Sequence, residues 1–347
     1  MAWPQGSTQY LIKKVATGAK LSKDLTQEEA YDILRRILDE KTTPAQTGAF
    51  FAAMRMKGES AEELAGFTRA AREKGEQVSS GVAHLVDVGY PYDGKLRSDI
   101  LVVGAAFIAA AAGVSILFHG ARHVPPKRGR VPEELLEALG IPIDLSPKEA
   151  GSFLQKTGIA YLSCRRFSPV LAGLLEIPAE IGVRSSLSAV HKLLNPAQAS
   201  VTVLGITHPP YLQSMSGALV ALRARGWVVQ GIEGTMELSL SRPTSCVHVQ
   251  EGRCEALALD PRVYDFPDIK DLEWGQRPLT ESARIVTKAL EGEATSWREI
   301  FLWNAAFFIF SAGKAASLQE GVHLARQALE TRQALQVLER ARLGVAA

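Results

Sequence analysis

The run 118–130, FHGARHVPPKRGR, carries side chains suited to binding an anion. It follows a short apolar segment, and its lysines and arginines are the residue types that pair with phosphate groups. Pro125 and Pro126 lack backbone N–H donors, which weakens any tight backbone cradle while the attraction to anions stays strong. A solvated charged loop is the alternative interpretation. The cations of this run are Arg122, Lys127, Arg128 and Arg130.

A second candidate anion site is the turn Gly-Tyr-Pro-Tyr-Asp-Gly that starts at Gly89. Glycines such as Gly89 and Gly94 allow a backbone to wrap around phosphate, and Asp93 can hold a sugar hydroxyl or a metal ion. Lys95 and Arg97 follow and add positive charge. An exposed turn is the alternative, because Pro and Asp-Gly form turns in any case.

Charged side chains also follow the later apolar runs of the chain. Glu233 and Glu237 lie in Gly-Ile-Glu-Gly-Thr-Met-Glu, and their carboxylates are candidate magnesium ligands or, alternatively, solvated loop acids. The additional cations in these loops are Arg165, Arg166, Arg184 and Lys192.

A mainly parallel sheet is expected to position these loops. Short β-rich apolar runs alternate with helical stretches such as 133–139 and 211–224, which favours an α/β fold with helices on both faces of the sheet. Ligands of such sheets bind at the carboxyl ends of the strands, where the charged loops fall. The predicted strands are 85–88, 114–118, 159–162, 201–205, 228–230 and 246–249.

The N-terminal part predicts a small helical domain. Thr26 with Glu29 forms a capping box, and further helices start near Pro44 and Ser60. Three short amphipathic helices cannot bury all their apolar surface alone. We therefore expect a helical domain at 1–80, a large α/β domain at 81–347, and a homodimer through the N-terminal helices.

Composition limits the classes of protein. The net charge of +2 gives no overall field for a polyanion, so affinity for one requires a local basic patch. Three cysteines without a paired motif favour a reducing cytoplasm over a disulfide framework or zinc site. The uncharged run 100–118 is interpreted as a buried helix ending at Gly113 and a buried strand, because no second span accompanies it. No membrane association is expected.

The order of these segments resembles the anthranilate phosphoribosyltransferase family, glycosyl transferases with a small helical N-terminal domain. The similarity runs from about residue 10 to the C-terminus and includes Asp87-Val-Gly89, Gly182-Val-Arg184 and Asn195-Pro196. It implies that helices within about 168–197 join the helical domain. It also implies three ligand elements: a Gly-Thr-Gly-Gly-Asp turn around phosphoribosyl pyrophosphate, a Lys-His-Gly-Asn-Arg loop around the same ligand, and an Asp-Glu pair carrying Mg²⁺.

This chain departs from all three elements. The first turn has Tyr90-Pro91-Tyr92 where the family has Thr-Gly-Gly, and Met236 replaces the Asp of the metal pair. An Arg that holds the anthranilate carboxylate in the family falls at Pro178. Ordinary anthranilate chemistry is therefore not expected, although Glu237 remains for a metal. The remnants of the phosphoribosyl pyrophosphate site are Gly89, Asp93, Gly94, His119, Gly120, Arg122 and Lys127.

Three functions follow from this erosion. The first is sequence-nonspecific binding of nucleic acid, with single strands favoured, as in a divergent branch of the family. Tyr90, Tyr92, Phe118 and Phe167 would stack on bases unless they are core residues. The second is a phosphoribosyl or pentosyl transferase acting on an acceptor other than anthranilate, with Mg²⁺ as its cofactor and His119, Arg122 and Glu237 remaining. The third is a catalytically silent dimeric scaffold.

Overall fold

The N-terminal helices begin at capping residues that are visible in the sequence. The structure is a computed structural model that describes residues 3–18, 20–269 and 275–344. Capping boxes at Thr26, Thr43 and Ser60 start the second, third and fourth helices, so the three predicted helices are confirmed. The bundle consists of α1 (Thr8–Val15), α2 (Gln27–Leu38), α3 (Pro44–Lys57) and α4 (Ala61–Glu73).

A sheet of seven strands forms the centre of the larger part. The strands follow the order β3-β2-β1-β4-β5-β6-β7, and the first five of these are parallel. β6 and β7 pair antiparallel at one edge. The strands are β1 (Leu85–Gly89), β2 (Ser115–Gly120), β3 (Ile159–Ser163), β4 (Val201–Gly205), β5 (Gly226–Val229), β6 (Thr244–Gln250) and β7 (Arg253–Leu259).

Helices cover both faces of this sheet, as the alternating pattern predicts. The remaining helices are α5 (Val102–Ala111), α6 (Pro132–Ala138), α7 (Pro147–Thr157), α8 (Cys164–Phe167), α9 (Pro169–Ala172), α10 (Ile177–Ile181), α11 (Leu187–Val190), α12 (Pro210–Ala221), α13 (Leu279–Leu290), α14 (Ser296–Ser311), α15 (Leu318–Glu330) and α16 (Gln333–Leu343). The predicted fold class is confirmed: a small helical domain accompanies a large α/β domain.

The apolar run 100–118 folds as a buried helix and a buried strand. It contains α5, which packs against the long apolar helix α14, and most of β2. Gly113 lies between them with φ of +89°, a left-handed conformation that ends the helical segment. Within the residues that the structure describes, no helix combines the length and apolarity needed to cross a bilayer.

The short helices between β3 and β4 pack against the N-terminal bundle. Ile181 of α10 approaches Gly48 of α3, and the hydroxyl of Ser186 donates to Glu59 Oε1 at 2.8 Å. These contacts support the proposal that part of 168–197 belongs with the helical domain.

The strand order sets the position of a ligand crevice. β2 and β3 are added to the sheet on one side of β1, whereas β4 and β5 are added on its other side. The strand order therefore reverses between β1 and β4. In open parallel sheets, ligands bind outside the carboxyl ends of the strands where the order reverses in this way. The loops after β1 and β4 therefore define the expected site.

Candidate functional site

A cavity of about 410 Å³ lies where the strand order reverses. Leu96 and Arg97 come from the loop after β1, and Ile206 and Thr207 come from the loop after β4. The helical bundle contributes Arg55 and Glu59 near the junction of α3 and α4. The apolar part of the wall consists of Leu96, Ala189, Ile206, Tyr211 and Met215. The cavity therefore lies between the two domains and combines apolar and charged walls.

Four of the ten predicted cations meet at this cavity. Arg97, Lys127, Arg184 and Lys192 all line it, although they come from four separate segments of the chain. Lys192 lies on a short 3₁₀ turn, His191–Leu193, whose carbonyl at 192 packs onto Gly89. Cations converging on one concave surface give a local positive field that the overall charge of +2 does not suggest.

Asp93 forms ion pairs with two of these cations, Arg184 and Lys127. Arg184 Nη2 lies 2.7 Å from Asp93 Oδ2, and Lys127 Nζ lies 3.7 Å from Asp93 Oδ1. Lys127 Nζ also donates to the Gly94 carbonyl oxygen at 2.8 Å. Asp93 is buried, so it positions the two cations and is itself scarcely reachable by a ligand.

Burial makes the lysines of this cavity easier to deprotonate. Desolvation lowers the pKa of Lys192 to about 8, nearby Asp93 opposes the change, and Lys127 and Arg184 add to it. Desolvation likewise lowers the pKa of Lys127. An anion entering the cavity would favour the charged form of both lysines, so its binding is coupled to proton uptake.

Glu59 is the acid of the helical bundle at this cavity. Burial raises the pKa of its carboxyl group, and the Ser186 hydroxyl and Arg55 act in the opposite direction. Sequence analysis missed Arg55 and Glu59, because nothing in the spacing of helical-domain residues shows which side chains reach the sheet. It also missed Tyr211, which lies on α12 after β4. Glu59 therefore adds a half-buried acid to a cavity wall that also carries the four cations.

Glu233 also lines the cavity, but its carboxylate is fully hydrogen-bonded. Its oxygens accept from the N–H groups of Leu96 at 2.7 Å and Arg97 at 3.1 and 3.2 Å, and from the Ser98 hydroxyl at 2.9 Å. These bonds lower the pKa of Glu233, although burial acts in the opposite direction as the largest single influence. The carboxylate ties the loop after β5 to the loop after β1.

Lys95 is predicted to face an anion, but the structure places it in the core. Its ammonium pairs with the Glu237 carboxylate, and both side chains are 0% exposed. Lys95 Nζ also donates to the Asp99 carbonyl oxygen at 2.6 Å. Glu237 Oε1 accepts from the N–H groups of Leu101 at 2.8 Å and Val102 at 3.0 Å, where α5 begins. Glu237 therefore caps α5 and neutralises Lys95.

This arrangement does not fit a magnesium ion at Glu237. Its Oε1 accepts two N–H groups, and its Oε2 accepts from Lys95 and from the Thr235 hydroxyl at 3.1 Å. Met236 supplies no oxygen in its side chain, and the oxygens of Glu233 are saturated as well. Across 3–18, 20–269 and 275–344, no group of three or more His, Cys, Asp or Glu is placed to hold a metal. These hydrogen bonds speak against Glu237 or Glu233 as a metal ligand in this conformation, and the metal role of either residue stays a prediction.

The glycines of the predicted phosphate turn face protein instead of a ligand. A Cβ at Gly89 would lie 2.3 Å from the Lys192 carbonyl oxygen. Gly94 has φ of +72°, and a Cβ there would lie 2.5 Å from the Gly129 carbonyl group. A bridge between Lys95 and Arg130 continues this loop-to-loop packing. Close backbone packing therefore accounts for these two glycines without a ligand, and their role at a phosphate stays a prediction.

The predicted stacking aromatics are core residues. Tyr90, Tyr92, Phe118 and Phe167 are all buried, so none presents a face to a base. Tyr92 stacks on His191 with ring centroids 4.3 Å apart, and burial lowers the pKa of His191 to about 3. Of the two alternatives given for these aromatics, the structure therefore favours core residues over base stacking.

His119 belongs to this buried cluster and not to the cavity wall. The Tyr92 hydroxyl lies 2.7 Å from His119 Nδ1, and Asp87 Oδ1 lies 3.3 Å from His119 Nε2. Gly120, the last residue of β2, packs near the Tyr161 hydroxyl. His119 and Gly120 thus contribute to the packing at the end of β2 and do not line the cavity.

Most other predicted cations are engaged away from the cavity. Two arginines bind acids at the surface: Arg128 binds Glu176 at 2.9 Å, and Arg166 binds Asp144 with Nε at 2.6 Å. Arg165 is exposed on α8. The six cations outside the cavity lining are Lys95, Arg122, Arg128, Arg130, Arg165 and Arg166.

Arg122 and Arg130 are held by groups of their own domain. Arg122 donates to Glu133 at 2.9 Å and to Glu137 at 3.0 Å. Arg130 lies 3.8 Å from Asp99 and donates to the Arg277 carbonyl oxygen. Of the ten cations, four line one cavity, and five of the other six pair with acids of this chain.

Comparisons with known proteins match both domains. Residues 9–75 match the family model "Glycosyl transferase family, helical bundle domain", and residues 99–335 match "Glycosyl transferase family, a/b domain". The chain is 34% identical over 327 residues to an anthranilate phosphoribosyltransferase of Anaeromyxobacter sp. (strain K), covering 93% of this chain and 94% of the relative. It is 30% identical over 334 residues to that of Desulfitobacterium hafniense (strain Y51), covering 95% and 98%.

Solved structures agree with this assignment. The anthranilate phosphoribosyltransferase of Thermus thermophilus superposes with a TM-score of 0.85 at 32% identity, covering 97% of this chain and 99% of that one. The Saccharomyces cerevisiae enzyme in complex with PRPP and Mg shares the fold, with a TM-score of 0.83 at 17% identity over 99% and 98% of the two chains. The chain therefore belongs to the glycosyl transferase family that includes the anthranilate phosphoribosyltransferases.

Proposed function

We propose that this protein binds a phosphorylated pentose in the interdomain cavity without a metal on Glu237, and transfers the pentosyl group to an acceptor other than anthranilate. The convergence of Arg97, Lys127, Arg184 and Lys192 on one cavity of about 410 Å³ is the observation that carries this proposal. A cavity of this size suits one small ligand. Phosphoribosyl pyrophosphate is the first candidate, because a family member of the same fold is seen with PRPP.

The surroundings of Pro178, where the resemblance to the family places the arginine for the anthranilate carboxylate, support a change of substrate. The space beside Pro178, Tyr92 and His191 is only about 10 Å³, and the Tyr92 ring stacks on His191 in its wall. That volume is about one water molecule and excludes an aromatic acid such as anthranilate. An acceptor would instead lie against the apolar wall that includes Ile206, Tyr211 and Met215.

Calorimetry in the presence of EDTA tests the proposed function. We expect phosphoribosyl pyrophosphate to bind saturably with one site per chain, and added Mg²⁺ to strengthen binding by less than about threefold, because Lys95 already neutralises Glu237. A titration that stays flat in EDTA and becomes saturable only with Mg²⁺ would overturn metal-independent binding. A flat titration under both conditions would overturn the choice of ligand.

Anion affinity is expected to fall as pH rises through 8. Lys192 has a pKa of about 8, so its ammonium form predominates at pH 7 and is lost toward pH 9. Sulfate does not titrate in this range, and its affinity should decrease about tenfold between pH 7 and pH 9 if it binds the charged form. Lys192→Met should bind sulfate weakly at both pH values. An unchanged pH profile in that variant would assign the effect to another group.

Nucleic-acid binding is the second candidate. It is favoured by the exposure of Arg97, which lines the cavity, and of Arg128, which follows the cavity residue Lys127: their side chains are 68% and 51% exposed. Binding of a single strand would show a steep salt dependence, with a log–log slope that falls by about 1 for each phosphate contact removed. Unchanged binding after joint replacement of Lys127, Arg128 and Arg130 by Ala would contradict this candidate.

We also propose a cytoplasmic homodimer formed through the N-terminal helices. Three large apolar side chains of this region, Trp3, Leu21 and Met56, are 50, 67 and 84% exposed. Exposed apolar groups of this kind favour association when they lie together. A monomer mass in light scattering at micromolar concentration would refute the dimer.

A further inference from the structure

The carboxylate of Glu233 occupies a set of donors that resembles an anion site. Two successive N–H groups, of Leu96 and Arg97, and the Ser98 hydroxyl all point to its two oxygens. Arg97 Nε lies 3.9 Å from Glu233 Oε1. Successive backbone N–H groups with a hydroxyl and a guanidinium nearby are a common way to bind phosphate. The protein therefore fills with its own side chain a site that suits an external anion.

This donor set opens to the cavity that holds the clustered cations. Leu96, Arg97 and Glu233 line the same cavity as Lys127, Arg184 and Lys192. Glu233 is close enough to Lys127 to favour its charged form, against the larger effect of burial. A phosphoryl group on residues 96–98 would thus lie within the field of the cations that are expected to bind the rest of the ligand.

The backbone at Glu233 is held in an unfavourable conformation. Its φ and ψ are 54° and 25°, in the left-handed region that is unfavourable for side chains other than those of Gly, Asn or Asp. Gly234 follows with φ of +83°. The hydrogen bonds to residues 96–98 oppose this cost, so loss of the carboxylate anchor leaves the loop after β5 free to relax.

We propose that residues 96–98 form a phosphate subsite, which Glu233 occupies in the unliganded protein and which a phosphoryl group of the ligand takes over. The inference rests on the proposed function for the identity of the ligand, but the subsite itself binds inorganic phosphate. Glu233 acts as an internal competitor. If it occupies the donors in more than about nine-tenths of the molecules, it weakens phosphate binding at least about tenfold.

Titration of inorganic phosphate in EDTA tests this role with Glu233→Ala. We expect phosphate to bind Glu233→Ala at least about tenfold more tightly than the wild type, since three donors become free. Glu59→Ala is the matched control, because it removes another acid from the same cavity without freeing those donors. It should strengthen phosphate binding by less than about threefold. In Glu233→Ala/Ser98→Ala, most of the gain should disappear because one donor is missing.

Other results would show that Glu233 only stabilises the loop after β5 and does not compete with phosphate. Equal or weaker phosphate binding by Glu233→Ala, with an unfolding transition like that of the wild type, would overturn the proposal. Equal gains in Glu233→Ala and Glu59→Ala would overturn it as well, since removal of any negative charge would then suffice. If Glu233→Ala does not fold, Glu233→Gln, which keeps one acceptor oxygen, must show a gain or the proposal fails. None of these outcomes depends on whether phosphoribosyl pyrophosphate binds the wild type.

Discussion

Replacing Lys95 by Met is expected to lower the free energy of unfolding by about 3–5 kcal/mol, because it leaves the Glu237 carboxylate buried without its counter-ion. Met has a similar length and no charge, so the loss of packing is small. The remaining N–H donors of Leu101 and Val102 do not neutralise a full charge in a site that is 0% exposed.

Urea unfolding at pH 7 measures this effect. Lys148→Met is the matched control, since Lys148 is exposed on α7 and its replacement should change stability by less than about 0.5 kcal/mol. In Lys95→Met/Glu237→Gln, the neutral amide still accepts from α5, and the double variant should be more stable than the sum of the single effects by over about 1 kcal/mol. A Lys95→Met variant within about 1 kcal/mol of the wild type would show that the ion pair contributes little.

Replacing Arg184 by Ala is expected to weaken binding of sulfate or phosphoribosyl pyrophosphate by at least about tenfold. A hydrogen bond to a charged group contributes about 1.5–3 kcal/mol, and the variant also leaves Asp93 with less positive charge beside the ligand. Arg128→Ala is the matched control, because Arg128 binds Glu176 outside the cavity lining. Its affinity for the small anion should stay within about twofold of the wild type.

The variants Arg184→Ala and Arg128→Ala also distinguish a small anion from a nucleic acid as the ligand of this protein. If a single strand is the ligand, Arg128→Ala should also reduce the salt dependence of binding, because exposed cations contribute along the strand. Equal losses in Arg184→Ala and Arg128→Ala for the small anion would contradict a cavity-centred site. Fluorescence anisotropy with a labelled oligonucleotide and calorimetry with sulfate give the two readouts.

The sheet could be predicted from the sequence, except for its edge. All six predicted strands are present: five are buried parallel strands, which are continuous apolar runs, and the sixth lies in the antiparallel strand β6. β7 (Arg253–Leu259) was missed because it is an exposed edge strand and carries charged residues. A two-residue turn, Glu251 and Gly252, joins β7 to β6, and both residues have positive φ. The Gly at this position was the sequence signal that could have indicated a β-hairpin.

The composition of the site could be predicted, but the partners of its cations could not. Lys95 and Arg97 stand two residues apart in one basic segment, yet the first is completely buried and the second is 68% exposed. The difference depends on Glu237, which is distant in sequence and reaches Lys95 only after the sheet forms. Arg122 likewise turns to Glu133 and Glu137 of α6. Pairing between acids and bases that are apart in sequence therefore decides which cations line the cavity.

A crystal structure with phosphoribosyl pyrophosphate bound in EDTA tests the central claim most directly. The predicted result is a phosphorylated pentose in the interdomain cavity, with its phosphates in contact with Lys127, Arg184 and Lys192, and with the ion pair of Lys95 and Glu237 intact. A ligand bound outside this cavity, or a site that fills only when Mg²⁺ displaces Lys95 from Glu237, would contradict it.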